Sequence, residues 1–501
     1  MSNNVKLKTG GLTVLREMNP AMISYNIEMT EVSGGTFWRA YTPGQIAGTE
    51  EVPAPDFRQG FASMHQWYDP IDTTNPRLIK LAKELGPVWI RVSGTWATKT
   101  YYDFDGTGIT PEGYQSRLTK EQWINLLNFV KAVGGRLLIS VSNCEGLHSA
   151  DEPWNPSEAE KIFALSAEHG VPISAVEFTN EPNMMEMTGF PKGYTPADFR
   201  RDQDLFHKWV RANYPDVIVV GPSTCDADAL AQGMGGEAGG AGIADIIPSC
   251  TTGELLDGCT EPLDVFSYHY YNGVSERMEP LCPSAYTPPS EATSEQYLGM
   301  AGLCARAFAP YRDKYCPGAE MWVTESGDAG AGGHTWASTY LEVQRTLNEF
   351  GSFSAVTNGV IFHNTLASSD YGYLQHGTFE PRPSYFAALL WNKVMGLSVL
   401  DAAEPIREGA HVYAHSRADG KDGIAYLVIN NSKTEATTVE LPKDAVKYYL
   451  DGNGDMRSKV MYLNGKPLTL GEGDTLPSLD GECVKAGSYE IAPGACCFFV
   501  I

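Results

Sequence analysis

The sequence predicts an α/β fold class, a (β/α)8 TIM barrel followed by a C-terminal antiparallel β-sandwich domain. Three observations predict it. Near-continuous apolar segments alternate with helical stretches over about the first 380 residues, no glycine-rich phosphate turn follows the first segment, and short alternating strands take over after about residue 400. A chain of 501 residues is also too long for one ordinary core, which favours two domains.

Eight segments rich in β-branched residues are the predicted barrel strands. They are residues 22–28, 88–93, 137–142, 175–179, 217–221, 264–268, 320–324 and 358–362. Strands this apolar are typical of a parallel sheet covered by helices on its faces. Helices are predicted between them, including 120–133, 157–169, 196–213 and 335–349. The first of these begins at Thr119, a favourable N-cap. A doubly wound open sheet is the alternative, but it normally carries a glycine-rich turn after its first strand.

The last hundred residues or so have a different pattern. Short alternating strands such as H-V-Y-A-H, G-I-A-Y-L-V-I, A-T-T-V-E-L and A-C-C-F-F-V-I are separated by turns such as D-G-K-D-G and D-G-N-G-D. This pattern indicates an antiparallel β-sandwich. We expect residues 16–395 to form the barrel and 396–501 the sandwich. Residues 1–15 also alternate, and we expect them to add a strand to the sandwich.

Composition argues against several classes of function. The formal net charge of −24 repels nucleic acid, and no basic patch with interleaved aromatic residues is present. No apolar run approaches the ~18 residues of a membrane span, and none follows the N-terminal lysines as in a secretory signal. We therefore expect a cytoplasmic location, although a trimmed secreted chain would have the same N-terminus. The ten cysteines lack metal-ligand spacing, and Cys496 and Cys497 are expected to be buried free thiols.

Residues at the predicted C-terminal ends of the barrel strands are the candidates for a site, because active sites of such barrels lie at that face. Two carboxylates fall there on facing strands, Glu181 after the fourth strand and Glu325 after the seventh. The other candidates at strand ends are Glu28, Thr95, Trp96, Asn180, His269 and Tyr270.

Two carboxylates facing each other across a barrel mouth have the arrangement that glycoside hydrolysis requires. Retention needs a proton donor and a carboxylate nucleophile about 5–5.5 Å apart, and Asn180 could bind a sugar 2-hydroxyl. Structural roles are the alternatives. Either glutamate of the pair could cap a helix, His269 could be a satisfied buried residue, and Glu28 could bond to the barrel rim.

Three segments resemble the signature regions of glycoside hydrolase family 79, the heparanase and β-glucuronidase family of clan A. They are V-E-F-T-N-E-P-N (176–183), D-V-F-S-Y-H-Y-Y-N-G (264–273) and M-W-V-T-E-S-G-D-A-G-A-G-G (321–333). P-V-W-I-R-V-S-G-T, F-E-P-R-P-S-Y-F-A-A-L-L-W-N-K-V-M-G and C-C-F-F-V-I resemble further segments of the family, so the resemblance spans nearly the whole chain.

The resemblance implies roles for individual residues. Glu181 would be the acid/base and Glu325 the nucleophile, with sugar contacts from Glu28, Thr95, Asn180 and Tyr270. A uronate carboxylate would be bound by N–H groups of a turn matching Gly332 and Gly333. It would also be bound by a tyrosine hydroxyl after strand eight, for which Tyr371 is the choice and Tyr373 the rival. Successive N–H groups form an anion-binding concavity, and glycine permits close approach.

These features predict a retaining exo-acting β-D-glucuronidase without a cofactor, acting on small-molecule or oligosaccharide glucuronides. Insertions at 39–61 and 232–242 are expected to roof the pocket, and the negative charge disfavours a sulfated polysaccharide. Two-chain heparanases carry a long excised segment after the second strand, whereas this chain has only D-F-D-G-T-G-I-T-P-E-G there. A single uncleaved chain is therefore expected. The alternatives are an endo-β-glucuronidase of the heparanase or hyaluronidase kind, an exo-glycosidase for a neutral sugar, and a non-catalytic carbohydrate-binding barrel.

Overall fold

The centre of the molecule is a closed barrel of eight parallel strands. A computed structural model describes residues 3–225 and 249–501, so the predicted insertion at 232–242 lies outside the described residues. In chain order, the first to eighth barrel strands are Ile23–Glu28, Trp89–Ser93, Arg136–Ser140, Ala175–Glu177, Ile218–Thr224, Val265–Tyr271, Met321–Gly327 and Gly359–His363. Each predicted strand overlaps an observed one, and the predicted barrel is confirmed.

Helices cover the outside of the barrel, and the last two α-helices in the chain are buried over most of their surface. The longer ones are Pro76–Glu84, Lys120–Val133, Ser157–Glu168, Pro196–Asn213, Glu295–Tyr315, Leu341–Val356 and Pro383–Val394. The helix Lys120–Val133 has the predicted N-cap: Thr119 and Gln122 form a capping box, and Gly134 ends the helix in the left-handed region.

The helix after the seventh strand was expected at 335–349 but spans Leu341–Val356. The residues before it are held in turns by other partners. The N–H and hydroxyl of Thr335 donate to Glu276, and the N–H of Tyr340 donates to the carbonyl of Ser458. These bonds compete with helical ones, and the segment pattern alone does not reveal them.

Short elements at the C-terminal face of the barrel build the surroundings of its mouth. An antiparallel hairpin, Gly35–Trp38 with His65–Tyr68, encloses the insertion predicted at 39–61. The short helix Pro43–Ala47 lies within that insertion, and the short helix Phe57–Met64 begins in it and continues three residues past its predicted end. The helices Met29–Ser33, Met185–Thr188 and Thr252–Leu256 follow the first, fourth and fifth strands. A parallel pair, Thr100–Asp103 with Ser116–Thr119, follows the second strand.

The predicted C-terminal antiparallel sheet is present. Its strands, in spatial order, are Val14–Glu17, Met395–Leu400, His411–Arg417, Ile424–Ile429, Cys496–Val500, Ala445–Asp451, Tyr462–Leu463 and Lys466–Pro467, with Glu482–Val484 also paired to Ala445–Asp451. A smaller sheet contains Asn3–Lys6, Thr437–Leu441 and Gly487–Ile491. The two share an apolar core that includes Val5, Val439 and Phe499. Both N-terminal strands thus join the C-terminal sheets, while the boundaries at 16, 395 and 396 stay predictions.

Two further predictions concern the terminal cysteines and membrane-spanning segments. Cys496 and Cys497 are buried free thiols, as predicted. In the part of the chain that the structure describes, every helix is too short or too polar to cross a membrane.

Candidate active site

A network of polar side chains centred on Arg91 fills the barrel interior. Arg91 lies in the second strand and is fully buried. Its guanidinium donates hydrogen bonds to Glu177 (2.6 Å) and Glu325 (3.0 Å). It also donates to the side-chain oxygen of Asn180 (2.8 Å). Burial alone would lower the pKa of Arg91, but the neighbouring carboxylates raise it, so the cation is maintained.

Glu177, in the fourth strand, is the buried counter-ion of this guanidinium. It accepts further hydrogen bonds from the hydroxyls of Ser93, Ser140 and Ser223. Burial would raise the pKa of Glu177, but Arg91 and these hydroxyls lower it. A buried ion pair persists only when its remaining polar atoms are satisfied, and here the serines satisfy them. Glu177 therefore orients Arg91 from below the mouth of the barrel.

Glu325 lies in the seventh strand with 6% of its surface exposed. One carboxylate oxygen accepts from Arg91, and the other accepts from the hydroxyl of Tyr271 at 2.8 Å. Because the two donors lie on different oxygens, they fix the orientation of the carboxylate. Burial, and then the nearby charge of Glu325, raise the pKa of Tyr271 well above its usual range, so the phenol keeps its proton.

Glu181 follows the fourth strand in an unusual backbone conformation. Its φ is 44°, in the left-handed region that is uncommon for residues other than glycine. Such a conformation costs about 1–3 kcal/mol and persists where surrounding contacts impose it. Here the N–H of Glu181 donates to the carbonyl of Ser223, which itself has a φ of 55°. This bend directs the half-buried carboxylate into the barrel mouth.

His269 connects the two glutamates. Its Nδ1 lies 3.0 Å from Oε1 of Glu181 and 3.6 Å from Oε2 of Glu325. Its Nε2 lies 3.3 Å from a guanidinium nitrogen of Arg91. Because a guanidinium can only donate, Nε2 must accept, and in the neutral ring Nδ1 then carries the proton and donates to Glu181.

The same three side chains are the only described group of acidic, histidine or cysteine residues spaced to hold a metal ion, with ligand atoms within 4.8 Å of one another. Glu325 is already bonded to Arg91, and a buried guanidinium beside the group repels a cation. This arrangement suits proton transfer and nucleophilic attack better than metal binding.

Glu28 ends the first strand and is buried beside Glu325. Burial, and then the charge of Glu325, raise the pKa of Glu28 well above its usual range. The protonated carboxyl can therefore donate a hydrogen bond to a sugar oxygen. Gly94 permits this close packing: a Cβ there would lie 1.5 Å from a carboxylate oxygen of Glu28, and its φ of 88° is unfavourable for other residues.

A cavity of about 1090 Å³ opens above these residues. Of the predicted site residues, it is lined by Glu28, Thr95, Trp96, Asn180, Glu181, Glu325 and Tyr371. His269 lies beneath it, buried between the two glutamates. The outer walls are largely apolar and contain Trp38, Phe61, Trp67, Met184, Met187 and Tyr286. Phe61 belongs to the insertion predicted to roof the pocket.

Tyr270 was predicted to contact the sugar, and the structure does not bring it to the cavity. Side chains alternate along a strand, so Tyr270 points outward into the core, where its hydroxyl donates to Asn272. Tyr271 takes the inward position and lines the cavity.

The structure distinguishes between the two tyrosines proposed to bind the uronate carboxylate. Tyr371 lines the cavity, and its hydroxyl accepts from Nδ2 of Asn364 at 3.2 Å. Tyr373 is buried in the core and stacks on His363 with ring centroids 3.8 Å apart. Only Tyr371 is therefore placed to meet a ligand.

The turn after Glu325 meets the cavity two residues before the predicted pair of glycines. Gly330 and Ala331 line the cavity, whereas Gly332 and Gly333 do not. The N–H of Gly333 already donates to Ala329. Arg277 donates to the carbonyls of Ala331 and Gly333, at 3.0 and 3.1 Å.

Arg277 is itself buried and paired with Asp370 at 3.1 Å, so the carbonyl side of the turn is held firmly. The N–H groups of Ala331 and Gly332 have no hydrogen bond to any other described residue. Of the two, Ala331 lines the cavity, so an anion-binding turn would use its N–H group together with that of the adjacent Gly332.

Sequence reasoning missed four residues of this site. They are Arg91, Glu177, Tyr271 and Asn364. Charged residues inside otherwise apolar barrel strands were a usable signal for the first two, because a buried charge needs a partner. Alternation along the sixth strand would have pointed to Tyr271, since His269 and Tyr271 share a face.

No family model matches the chain, but individual relatives cover most of it. It is 24% identical to heparanase-like protein 1 of Arabidopsis thaliana, over 82% of this chain and 81% of that protein. It is 24% identical to a hyaluronoglucuronidase of Hirudo nipponia (86% and 90% covered) and to a baicalin-β-D-glucuronidase of Scutellaria baicalensis (84% and 82%).

Solved structures share the fold. A 4-O-α-L-rhamnosyl-β-D-glucuronidase from Fusarium oxysporum superposes with a TM-score of 0.62 at 12% identity, over 99% of this chain and all of that one. The barrel, its paired glutamates and these relatives define a glycoside hydrolase. The resemblance to glycoside hydrolase family 79 is confirmed, and the chain is a homologue of the heparanases and glucuronidases of that family.

Proposed function

We propose that the protein is a retaining, exo-acting β-D-glucuronidase. The distance between the two glutamates is the observation that carries the retaining mechanism. Their nearest carboxylate oxygens lie within 4.8 Å, with both carboxylates next to Nδ1 of His269. Retaining enzymes place the two carboxyl groups about 5–5.5 Å apart, whereas inverting ones leave about 6.5–9.5 Å for a water molecule. The short separation supports retention.

Each glutamate has a distinct role in this mechanism. Glu325 attacks the anomeric carbon while the bond to the aglycone oxygen breaks and Glu181 gives that oxygen its proton. Glu181 then takes a proton from water, the water oxygen bonds to the anomeric carbon, and the bond to Glu325 breaks. Arg91 and Tyr271 orient the nucleophile, and His269 orients the acid.

Recognition of glucuronic acid is assigned to the turn and tyrosine on the same side of the cavity. The free N–H groups of Ala331 and Gly332 and the hydroxyl of Tyr371 would bind the uronate carboxylate. Burial raises the pKa of Tyr371 well above its usual range, so it remains a donor. Relatives named as glucuronidases support this sugar.

Enclosure of the cavity supports exo action. The hairpin Gly35–Trp38 with His65–Tyr68 and the segment 284–288 both contribute lining residues. Walls from several loops favour a pocket that admits a chain end over an open groove. Endo cleavage is the second candidate, because one relative of similar length is named a hyaluronoglucuronidase.

Three measurements on the purified protein test the proposal. A panel of nitrophenyl β-glycosides should show turnover of the glucuronide well above that of the glucoside and xyloside. NMR of the hydrolysis should show the β-anomer of glucuronic acid first. Initial formation of the α-anomer would contradict retention. With a hyaluronan oligosaccharide, release of long fragments without monosaccharide would establish endo action instead.

A further inference from the structure

We propose that Lys99 and Trp96 form a subsite for an anionic substituent on the aglycone. The inference rests on the proposed glycosidase function and specifies which leaving groups the enzyme prefers. Lys99 lines the same cavity as the two catalytic glutamates, yet only 7% of its surface is exposed. Its ammonium lies 4.7 Å from the ring centroid of Trp96.

This ammonium has no carboxylate partner in the described structure, and the nearby Cys144 thiol stays protonated because burial raises its pKa to about 11. No carboxylate oxygen among the described residues lies within 4.0 Å of it, although the chain carries a net charge of −24. A buried charge without a counter-ion is costly, and a cation–π contact offsets only about 0.5–2 kcal/mol of that cost. Burial accordingly lowers the pKa of Lys99 to about 8. An anion arriving with the substrate would satisfy the cation.

The location of Lys99 assigns it to the aglycone rather than to the sugar. The acid/base residue protonates the leaving oxygen, so the leaving group must lie on the side of Glu181. Lys99 packs against the loop that follows Glu181: a Cβ on Gly189 would lie 2.4 Å from its Cδ. Gly189, with a φ of 82°, therefore leaves room for the lysine stem.

The neighbouring walls define the rest of the preferred leaving group. Trp96, Met184 and Met187 line the cavity near Lys99 and offer apolar, polarisable surfaces. An aromatic ring fits such a surface, and a carboxylate or a sulfate ester on that ring would meet the ammonium. The subsite is thus suited to aryl glycosides that carry one negative charge on the aglycone.

A matched set of substrates tests this subsite. Phenyl β-D-glucuronides with a para carboxylate, a para sulfate ester or a para carboxamide differ in charge at nearly constant shape. For the wild-type enzyme we expect KM for the carboxylate and the sulfate to be about tenfold below KM for the carboxamide. A preference for only one of the two anions would identify which group the subsite accepts. Equal KM values for all three would overturn the proposal without any variant.

Substitutions at Lys99 separate this role from a structural one. Lys99→Met keeps the length of the stem and should raise KM for the anionic substrates about tenfold, leaving KM for the carboxamide within about twofold. Lys99→Arg should keep the preference for anions. An equal change in KM for all three substrates would contradict the subsite and indicate that Lys99 has a packing role.

The two proposals fail in different ways. If the wild-type enzyme hydrolyses no glucuronide but does hydrolyse another glycoside, the sugar assignment fails, and the same carboxylate and carboxamide pair on that sugar tests the subsite. If glucuronides are hydrolysed with no effect of charge, the subsite fails while the proposed function stands.

Discussion

Nδ1 of His269 lies 3.0 Å from a carboxylate oxygen of Glu181. This contact joins the candidate acid/base to the Arg91 network, because Nε2 of the same ring lies 3.3 Å from the guanidinium. The histidine therefore acts on the leaving group only through the carboxylate that it orients.

His269→Ala should impair the step that needs a proton. For phenyl glucuronide, a poor leaving group, we expect kcat to fall about 10²–10³-fold. For dinitrophenyl glucuronide, which departs without protonation, the loss should be less than about tenfold. His169→Ala, a substitution next to Asn128 on the outer helices, is the matched control and should change neither. Equal losses on both substrates would show that His269 serves the nucleophile or the fold instead.

Arg91→Met should destabilise the fold strongly, because it leaves Glu177 and Glu325 buried without their partner. We expect a loss of about 3–5 kcal/mol in the free energy of unfolding, measured with urea. Adding Glu177→Gln removes one of the stranded charges, so the double variant should be more stable than the sum of the single changes predicts. Strict additivity would mean that the ion pair is not the source of the loss.

Tyr371→Phe should reduce selectivity for the uronate. Removal of one hydrogen bond to a charged group costs about 1.5–3 kcal/mol, or about 10–150-fold in kcat/KM for the glucuronide. Turnover of the matching glucoside should change little. Tyr373→Phe is the control, because its ring stacks on His363 outside the cavity and its substitution should leave the ratio of the two substrates unchanged. If Tyr373→Phe lowered kcat/KM for the glucuronide and Tyr371→Phe did not, Tyr373 would be the residue that binds the uronate.

Glu31 should make stability depend on pH. Burial raises its pKa to about 8, opposed only in part by the N–H of Glu28. An unfolded glutamate titrates near ~4.3, so between about pH 4 and 8 the folded state holds the extra proton. Its contribution to stability is full below this window and is lost as pH rises, by up to about 1.4 kcal/mol per pH unit.

Glu31→Gln tests this directly, since glutamine still accepts the hydrogen bond from the N–H of Glu28. The free energy of unfolding of the variant should fall less between pH 5 and 8 than that of the wild type. Parallel curves for the two proteins would show that Glu31 does not titrate in this range.

The barrel was predictable from sequence because its strands are buried on both faces and are therefore apolar almost throughout. The helix expected at 335–349 was not placed correctly, because Thr335 and Tyr340 bond to distant partners, Glu276 and Ser458, that no local pattern reveals. Local propensity gives way where tertiary hydrogen bonds compete with it.

Site residues at the end of a strand were predictable. Those whose role depends on the direction in which the side chain points were less predictable. Glu181, Glu325 and Asn180 could be located from strand ends alone. The choice between Tyr270 and Tyr271 depended on which alternate positions of the sixth strand point into the barrel. Alternation determines this only once one inward-pointing residue is known. Arg91 was passed over because it lies mid-strand, within the barrel rather than at its rim.

In the proposed mechanism, Glu325 forms a covalent bond to the sugar while Glu181 gives and takes the proton. Incubation with 2-deoxy-2-fluoro-β-D-glucuronyl fluoride, followed by mass spectrometry of the intact and digested protein, tests it most directly. Fluorine slows both steps, and fluoride leaves without protonation, so the glycosyl-enzyme should accumulate. We expect one added sugar on the peptide containing Glu325 and none in Glu325→Gln. A label on another residue, or turnover of glucuronides with inversion and no adduct, would contradict it.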